Sequence, residues 1–159
     1  GSLITRSNVL EPPTAGAMLE ITRALGYPVE GKRVAVVGAG ALVGRPLALL
    51  LLNAGATVFM CNSRTKNLGA ILKTCDAVMT CVGKSNLVRG SMVKRGSLVI
   101  DAGVMVEDGK PKGDVAVAEV LKVARAVSPT PGGVGPITVA KLLLNTVLAA
   151  EQFLRNKKR

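Results

Sequence analysis

The sequence predicts an α/β protein: one domain over residues 1–159, a mostly parallel sheet wound on both faces by helices. Short β-branched runs alternate with leucine-rich stretches from end to end, the order that produces parallel sheets. Aromatic residues are 2% of a chain that is 48% hydrophobic, so small aliphatic side chains must build the core, as they do in a sheet covered on both faces. The third observation is local. Val34-Ala-Val-Val37 runs straight into Gly38-Ala-Gly40-Ala-Leu-Val-Gly44, with Arg45-Pro46 and a leucine run to Leu52 behind it. A strand, a glycine turn and a helix in that order present backbone N–H groups to the pyrophosphate of a dinucleotide. The spacing, G-x-G-x-x-x-G, is one residue longer than the commonest form. Gly38 allows the tight turn, Gly40 allows close approach of backbone to phosphate, and Gly44 lets the helix sit against the sheet. The fold is therefore Rossmann-type and doubly wound.

The elements follow in order. Pro12-Pro13-Thr14 opens an amphipathic helix that runs to about Leu25 and is closed by Gly26. Strands are predicted at 33–37, 57–61, 77–81, 97–101 and 125–127, with helices at 44–53, 67–73 and 117–123 and a turn of helix near 91–94. Asp108-Gly109 marks a tight turn. Pro131-Gly-Gly-Val-Gly-Pro136 is a stiff loop, and Pro136 opens a last helix from Ile137 to about Leu154.

Composition narrows the function. The chain has no histidine, and Cys61, Cys75 and Cys81 are odd in number with no C-x-x-C spacing. No metal site is expected, and reduced thiols suit a cytoplasmic compartment or a mitochondrial matrix. No continuous apolar run approaches the roughly 18 residues that span a bilayer, so no membrane association is expected. The net charge of +11 is scattered apart from the Arg155–Arg159 tail, and Tyr27, Phe59 and Phe153 are not interleaved with it. Nucleic acid is therefore not the expected partner. A polyanionic cofactor, an acidic partner domain and a solvated terminal helix together account for the charge better.

The second strand speaks to the cofactor. A site selective for NAD places an acid about 20 residues beyond the glycines, on the ribose 2′-hydroxyl. Here no acid occurs between Glu30 and Asp76, and the strand ends Cys61-Asn62-Ser63-Arg64-Thr65-Lys66. Hydroxyls beside a guanidinium suit a 2′-phosphate. NADP is expected in preference to NAD.

With these pieces placed, the chain resembles the cofactor-binding half of the methylenetetrahydrofolate dehydrogenase/methenyltetrahydrofolate cyclohydrolase family over roughly residues 3–155. The matching strings are Pro12-Pro-Thr, Gly31-Lys, Val37-Gly38, Val43-Gly44-Arg-Pro46, Ser63-x-Thr65, Val82-Gly83-Lys84, Val99-Ile-Asp101-x-Gly103 and Gly113-Asp-Val115. The most specific is Pro129-x-Pro131-Gly-Gly-Val-Gly-Pro-x-Thr138 before a leucine-rich helix. The resemblance implies that Gly38, Ala39 and Gly40 meet the pyrophosphate, and that Ser63 and Arg64 meet the adenosine ribose end. Val82, Val104 and Thr138 join them in binding cofactor, Val104 on the nicotinamide side. Pro131, Gly132, Gly133 and Val134 line the cleft toward a tetrahydrofolate substrate.

Departures from the family pattern are Gly40 where Ser is usual, Asn62 where His is frequent, and Met105 where Asn is usual. The family also has an N-terminal domain bearing the Tyr, Lys and Asp that bind folate and move protons, and nothing in this chain matches it. No catalytic residue is therefore assigned here, the isolated chain is expected to be inactive, and a homodimer is the expected assembly. The Asn62–Thr65 stretch also resembles quinate/shikimate-type dehydrogenases, which give no reason for the proline–glycine loop. A stand-alone nucleotide-binding module without chemistry is the reading outside enzymology.

Overall fold

The computed structural model describes residues 10–157. Its chain order is α1 (Pro13–Ala24), β1 (Arg33–Val37), α2 (Gly44–Asn53), β2 (Thr57–Cys61), α3 (Leu68–Leu72), β3 (Ala77–Thr80), a single 3-10 turn (Gly90–Met92), β4 (Leu98–Asp101), β5 (Met105–Glu107), β6 (Lys110–Lys112), α4 (Val117–Val120), β7 (Ala126–Val127) and α5 (Val134–Lys157). Five strands form one parallel sheet in the order β2-β1-β3-β4-β7, with Val34 level with Val58 and Ala77, and Ala77 level with Leu98. The chain winds outward from β1 to β2, then returns to the other side of β1. The strand order therefore reverses between β1 and β3, where a doubly wound sheet opens a crevice at its carboxyl edge.

Alternation along the strands sends side chains to two cores. Val34, Val36, Met79 and Ile100 pack with Met18, Leu47 and Leu51 on the face covered by α1 and α2, where Val134 of α5 joins them. Ala35, Val37, Val78 and Val99 pack with Leu72, Val88, Val115 and Val120 on the other. Both faces are dry, and Val, Ala, Met and Leu suffice to fill them.

Most sequence-based bounds hold within a residue or two, and the differences have local causes. β3 stops at Thr80 rather than Cys81, β4 begins at Leu98 rather than Ser97, and β7 holds only Ala126 and Val127. α1, α3 and α4 are also shorter than expected at one end or both. The Asp108-Gly109 turn is present with both residues at positive φ, 54° and 71°, and it joins β5 to β6 in an antiparallel hairpin that the sequence reading left unassigned. α5 starts three residues early, at Val134. Pro136 then falls third in the helix, where its missing N–H would have had no partner in any case.

α5 is where a count of continuous apolar runs falls short. By length and composition alone it is long enough and apolar enough to cross a membrane, and its most apolar 18-residue stretch has no buried residue. Lys141, Asn145 and Thr146 interrupt every continuous apolar run, which is why counting runs missed it. One side of α5 is tied to the segment entering α1 and to α1 itself. Lys141 bridges Glu11 and Glu20, each at 3.2 Å, and the Asn145 side-chain amide donates to the Glu11 carbonyl at 2.7 Å. Leu143, Val147, Phe153 and Leu154 stand more than half exposed.

At the amino edge of the sheet, the Asp76 carboxylate accepts from Lys94 Nζ at 2.6 Å and from the Arg33 N–H at 3.0 Å. Lys94 foremost, then that N–H, holds the carboxyl below its ordinary 3.8. The folded value is depressed, so this stabilisation is full above the ordinary carboxylate range and is lost as pH falls through it. In an NMR titration, Lys94→Met should move the Asp76 midpoint upward toward 3.8. An unmoved midpoint would contradict the assigned cause.

Candidate dinucleotide site and adjoining cleft

The site begins at the carboxyl end of β1. Gly38 takes φ +112°, and a Cβ there would stand 2.8 Å from the Cys81 carbonyl oxygen at the end of β3. β1 and β3 therefore approach closely just where the strand order reverses. Gly44, the first residue of α2, lies so tightly against Gly38 that an added Cβ would run into the Gly38 carbonyl. Between them, Arg45 Nε donates to the Ala39 carbonyl at 3.0 Å and the Arg45 N–H to that of Gly40 at 3.0 Å. The turn is fixed from behind. Gly40 is exposed, with open space where its Cβ would be.

The groups facing that space suit an anion. No side chain caps α2, and no acid lies in its first turn. No acceptor for the Ala39 and Gly40 amides is found among the described residues. Backbone donors without an acceptor, just ahead of the positive end of a helix, attract phosphate oxygens, so the residues present fit a dinucleotide.

At the end of β2, Asn62 and Thr65 fold the loop on itself. The Asn62 N–H donates to Thr65 Oγ1 at 2.8 Å, and the Arg64 N–H donates to Asn62 Oδ1 at 2.9 Å. Ser63 and Arg64 are left exposed at the tip, and Arg64 makes no ion pair among the described residues. The nearest acids in sequence remain Glu30 and Asp76.

Beyond β4 and β7 lies a cleft of about 490 Å³, walled by Val104 and Pro111 on one side and by the Pro129–Pro136 loop on the other. Thr14 and Thr138 also line it, and Thr138 Oγ1 donates to the Val134 carbonyl at 3.0 Å. Val104, Pro131, Gly132, Gly133, Val134 and Thr138 are thus brought to one cavity. Gly38, Ala39, Gly40, Ser63, Arg64 and Val82 lie outside it, along the carboxyl ends of β1, β2 and β3. The candidate residues form two adjoining regions, a nucleotide ledge and a cleft.

Two buried carboxylates, Asp101 in the cleft lining and Asp114 beneath the turn after β3, had no assigned role. Asp101 accepts from the Gly103 N–H at 2.9 Å and the Val115 N–H at 3.0 Å. Burial pushes its carboxyl up, against those backbone bonds. Asp114 is fully buried beneath the turn after β3. Their strings, Asp101-x-Gly103 and Gly113-Asp114-Val115, were legible, but apart from Gly103 their partners lie fourteen or more residues away and leave no local pattern. Cys81, against the Gly38 carbonyl at 3.5 Å, is pushed up to about 11 by burial and then by the Asp114 charge. That shift favours the thiol form at neutral pH.

A glycine turn at the switch point, an uncapped helix and a neighbouring cleft define a Rossmann-like NAD(P)-binding domain. The family model described as "Tetrahydrofolate dehydrogenase/cyclohydrolase, NAD(P)-binding domain" matches residues 12–154. The chain belongs to that family. It is 46% identical over 153 residues to the bifunctional protein FolD of Cupriavidus pinatubonensis, covering 96% of this chain and 54% of that protein. Among solved structures, the methylenetetrahydrofolate dehydrogenase–cyclohydrolase of Trypanosoma brucei, complexed with NADP and an inhibitor, superposes with a TM-score of 0.91. It is 38% identical, over 98% of this chain and 56% of that one. The Campylobacter jejuni FolD enzyme gives 0.85 at 42% identity, over 87% and 50%. The chain spans about half the length of the curated relatives it matches.

Proposed function

We propose that this chain is the NADP-binding half of a methylenetetrahydrofolate dehydrogenase/methenyltetrahydrofolate cyclohydrolase. One observation carries the reading: the uncapped glycine turn opens at the strand-order reversal, beside a cleft walled by the Pro131–Val134 loop. A dinucleotide laid across the carboxyl ends has its adenosine over β2 and its nicotinamide toward β4. Gly38, Ala39 and Gly40 then meet the pyrophosphate, Ser63 and Arg64 the 2′-phosphate, and Val82, Val104 and Thr138 the nicotinamide end. Pro131 to Val134 form one wall for tetrahydrofolate.

When bound, NADP supplies the acceptor for hydride from the methylene bridge of the folate. This chain's own residues bind, orient and exclude water, and the proton transfers of the hydrolytic step fall to other residues. That task belongs to a folate-binding half, for which the exposed apolar face of α5 is the docking surface. Alignment of donor and acceptor carbons needs both walls, so the chain alone is inactive. A homodimer in a reducing compartment, cytoplasm or mitochondrial matrix, completes the reading; the three cysteines are free thiols.

Titration of the domain with NADP and NAD at low salt tests the cofactor assignment, and NADP should bind more tightly. Removing a good guanidinium–phosphate pair costs about 1–3 kcal/mol, so Arg64→Ala should narrow the gap roughly 5- to 100-fold. Equal affinity for both cofactors before mutation would overturn the preference.

A further inference from the structure

The turn that follows β3 is shaped by a residue thirty positions away. Asp114 Oδ2 accepts from Thr80 Oγ1 at 2.6 Å and from the Val82 N–H at 2.7 Å. Its Oδ1 accepts from the Gly83 N–H at 2.8 Å and the Lys84 N–H at 2.7 Å. Four donors occupy the four acceptor sites of one carboxylate. Asp114 is fully buried, as is Thr80, so no water substitutes for either.

The same carboxylate fixes the β5–β6 hairpin relative to that turn. Gly103 stands at one foot of the hairpin and Gly113 at the other. A Cβ on Gly103 would run into the Asp114 carboxylate, and a Cβ on Gly113 would run into that of Asp101. Asp101 in turn holds the Gly103 and Val115 amides. Asp101 thus ties both feet together, while Gly103 leaves room for the Asp114 carboxylate and Gly113 for that of Asp101. The hairpin carries Val104 and Pro111 into the cleft wall, and a Cβ on Gly83 would stand 3.5 Å from the Val104 carbonyl. The spacing between Val82 and Val104 is therefore set from behind by Asp114.

We propose that Asp114 is a positioning residue for the nicotinamide end of the cofactor, holding the Val82–Lys84 turn and the Val104 strand at the separation that receives the ring. The inference rests on the NADP-binding reading above, and it extends that reading to a residue that touches no ligand. A group needed only for folding would affect every ligand alike. A group that shapes the β3–β4 end affects ligands that reach it and spares those that stop over β2.

The test compares NADP with adenosine 2′,5′-bisphosphate, which has the 2′-phosphate and lacks the nicotinamide. Asp114→Asn keeps the shape but exchanges one acceptor oxygen for an NH2. With its oxygen toward Gly83 and Lys84, its NH2 meets the Val82 N–H head-on, and that strand end must shift. NADP affinity should fall about 10-fold, the effect of one lost buried hydrogen bond, with adenosine 2′,5′-bisphosphate unchanged within about twofold. Thr80→Val, which removes a single donor from the same carboxylate, should lower NADP affinity about threefold with the same selectivity; if Asp114→Asn does not fold, this variant decides alone. Equal losses for both ligands, or no loss for NADP, would overturn the proposal. Failure of the unmutated domain to bind NADP would remove the underlying reading, an outcome distinct from either.

Discussion

Gly44→Ala should destabilise the domain by about 3 kcal/mol, a large value for one methyl group. The added carbon would overlap the Gly38 carbonyl oxygen, so α2 must move away from β1 or the turn must open. Either movement disturbs Leu47 and Leu51, which are fully buried against the sheet. A thermal melt should show the transition lowered by roughly 6–12 °C. NADP binding should weaken as well, because the same shift displaces the Gly38–Gly40 turn whose free amides face the ledge. A melt within about 2 °C of the unmutated domain would mean that α2 has slack that the close contact denies.

Gly40→Val should divide stability from binding in the opposite way. Nothing lies within 4 Å of a Cβ at this position, and its φ is not in the left-handed region. The fold has no use for a glycine here, and the transition should stay within about 1 °C. The open space is where the pyrophosphate would approach the backbone, and the γ-carbons of valine fill it. Affinity for NADP should drop about 100-fold or more, equal to about 2.7 kcal/mol. Gly40→Ser, smaller and with a hydroxyl for phosphate, should bind at least as well as the unmutated domain. If Gly40→Val melts normally and binds NADP undiminished, the turn is a structural feature alone.

These variants also mark what could be read from residues in order. The five parallel strands were legible because each is a short aliphatic run bounded by turn residues. The first of them, Arg33–Val37, is placed to the residue by the glycines that follow. The glycine turn after β1 was legible for the same reason, since Gly38, Ala39 and Gly40 are adjacent along the chain. The hairpin of Met105–Glu107 and Lys110–Lys112 was not: its six residues include a proline and four charged or sulfur-bearing side chains, and only its Asp108-Gly109 turn gave a signal. Nor was the role of Asp114, because its carboxylate meets donors thirty and more residues earlier. Pairing of that kind leaves no periodicity. The apolar character of α5 was hidden in a different way, by polar residues spaced along one side of the helix that anchor it to α1 while leucines and valines face outward.

The central claim is that this chain is one half of a two-walled enzyme, and joining it to the other half tests that most directly. The measurement is the rate of NADP reduction with methylenetetrahydrofolate, using this chain fused behind the N-terminal half of the Cupriavidus pinatubonensis FolD protein, whose remaining length this chain does not span. The account predicts NADP-dependent turnover and methenyl hydrolysis from the fusion, and neither activity from either part alone. Turnover by residues 1–159 alone would contradict it. So would silence from a fusion that is folded and binds NADP, and that result would favour a nucleotide-binding module without chemistry.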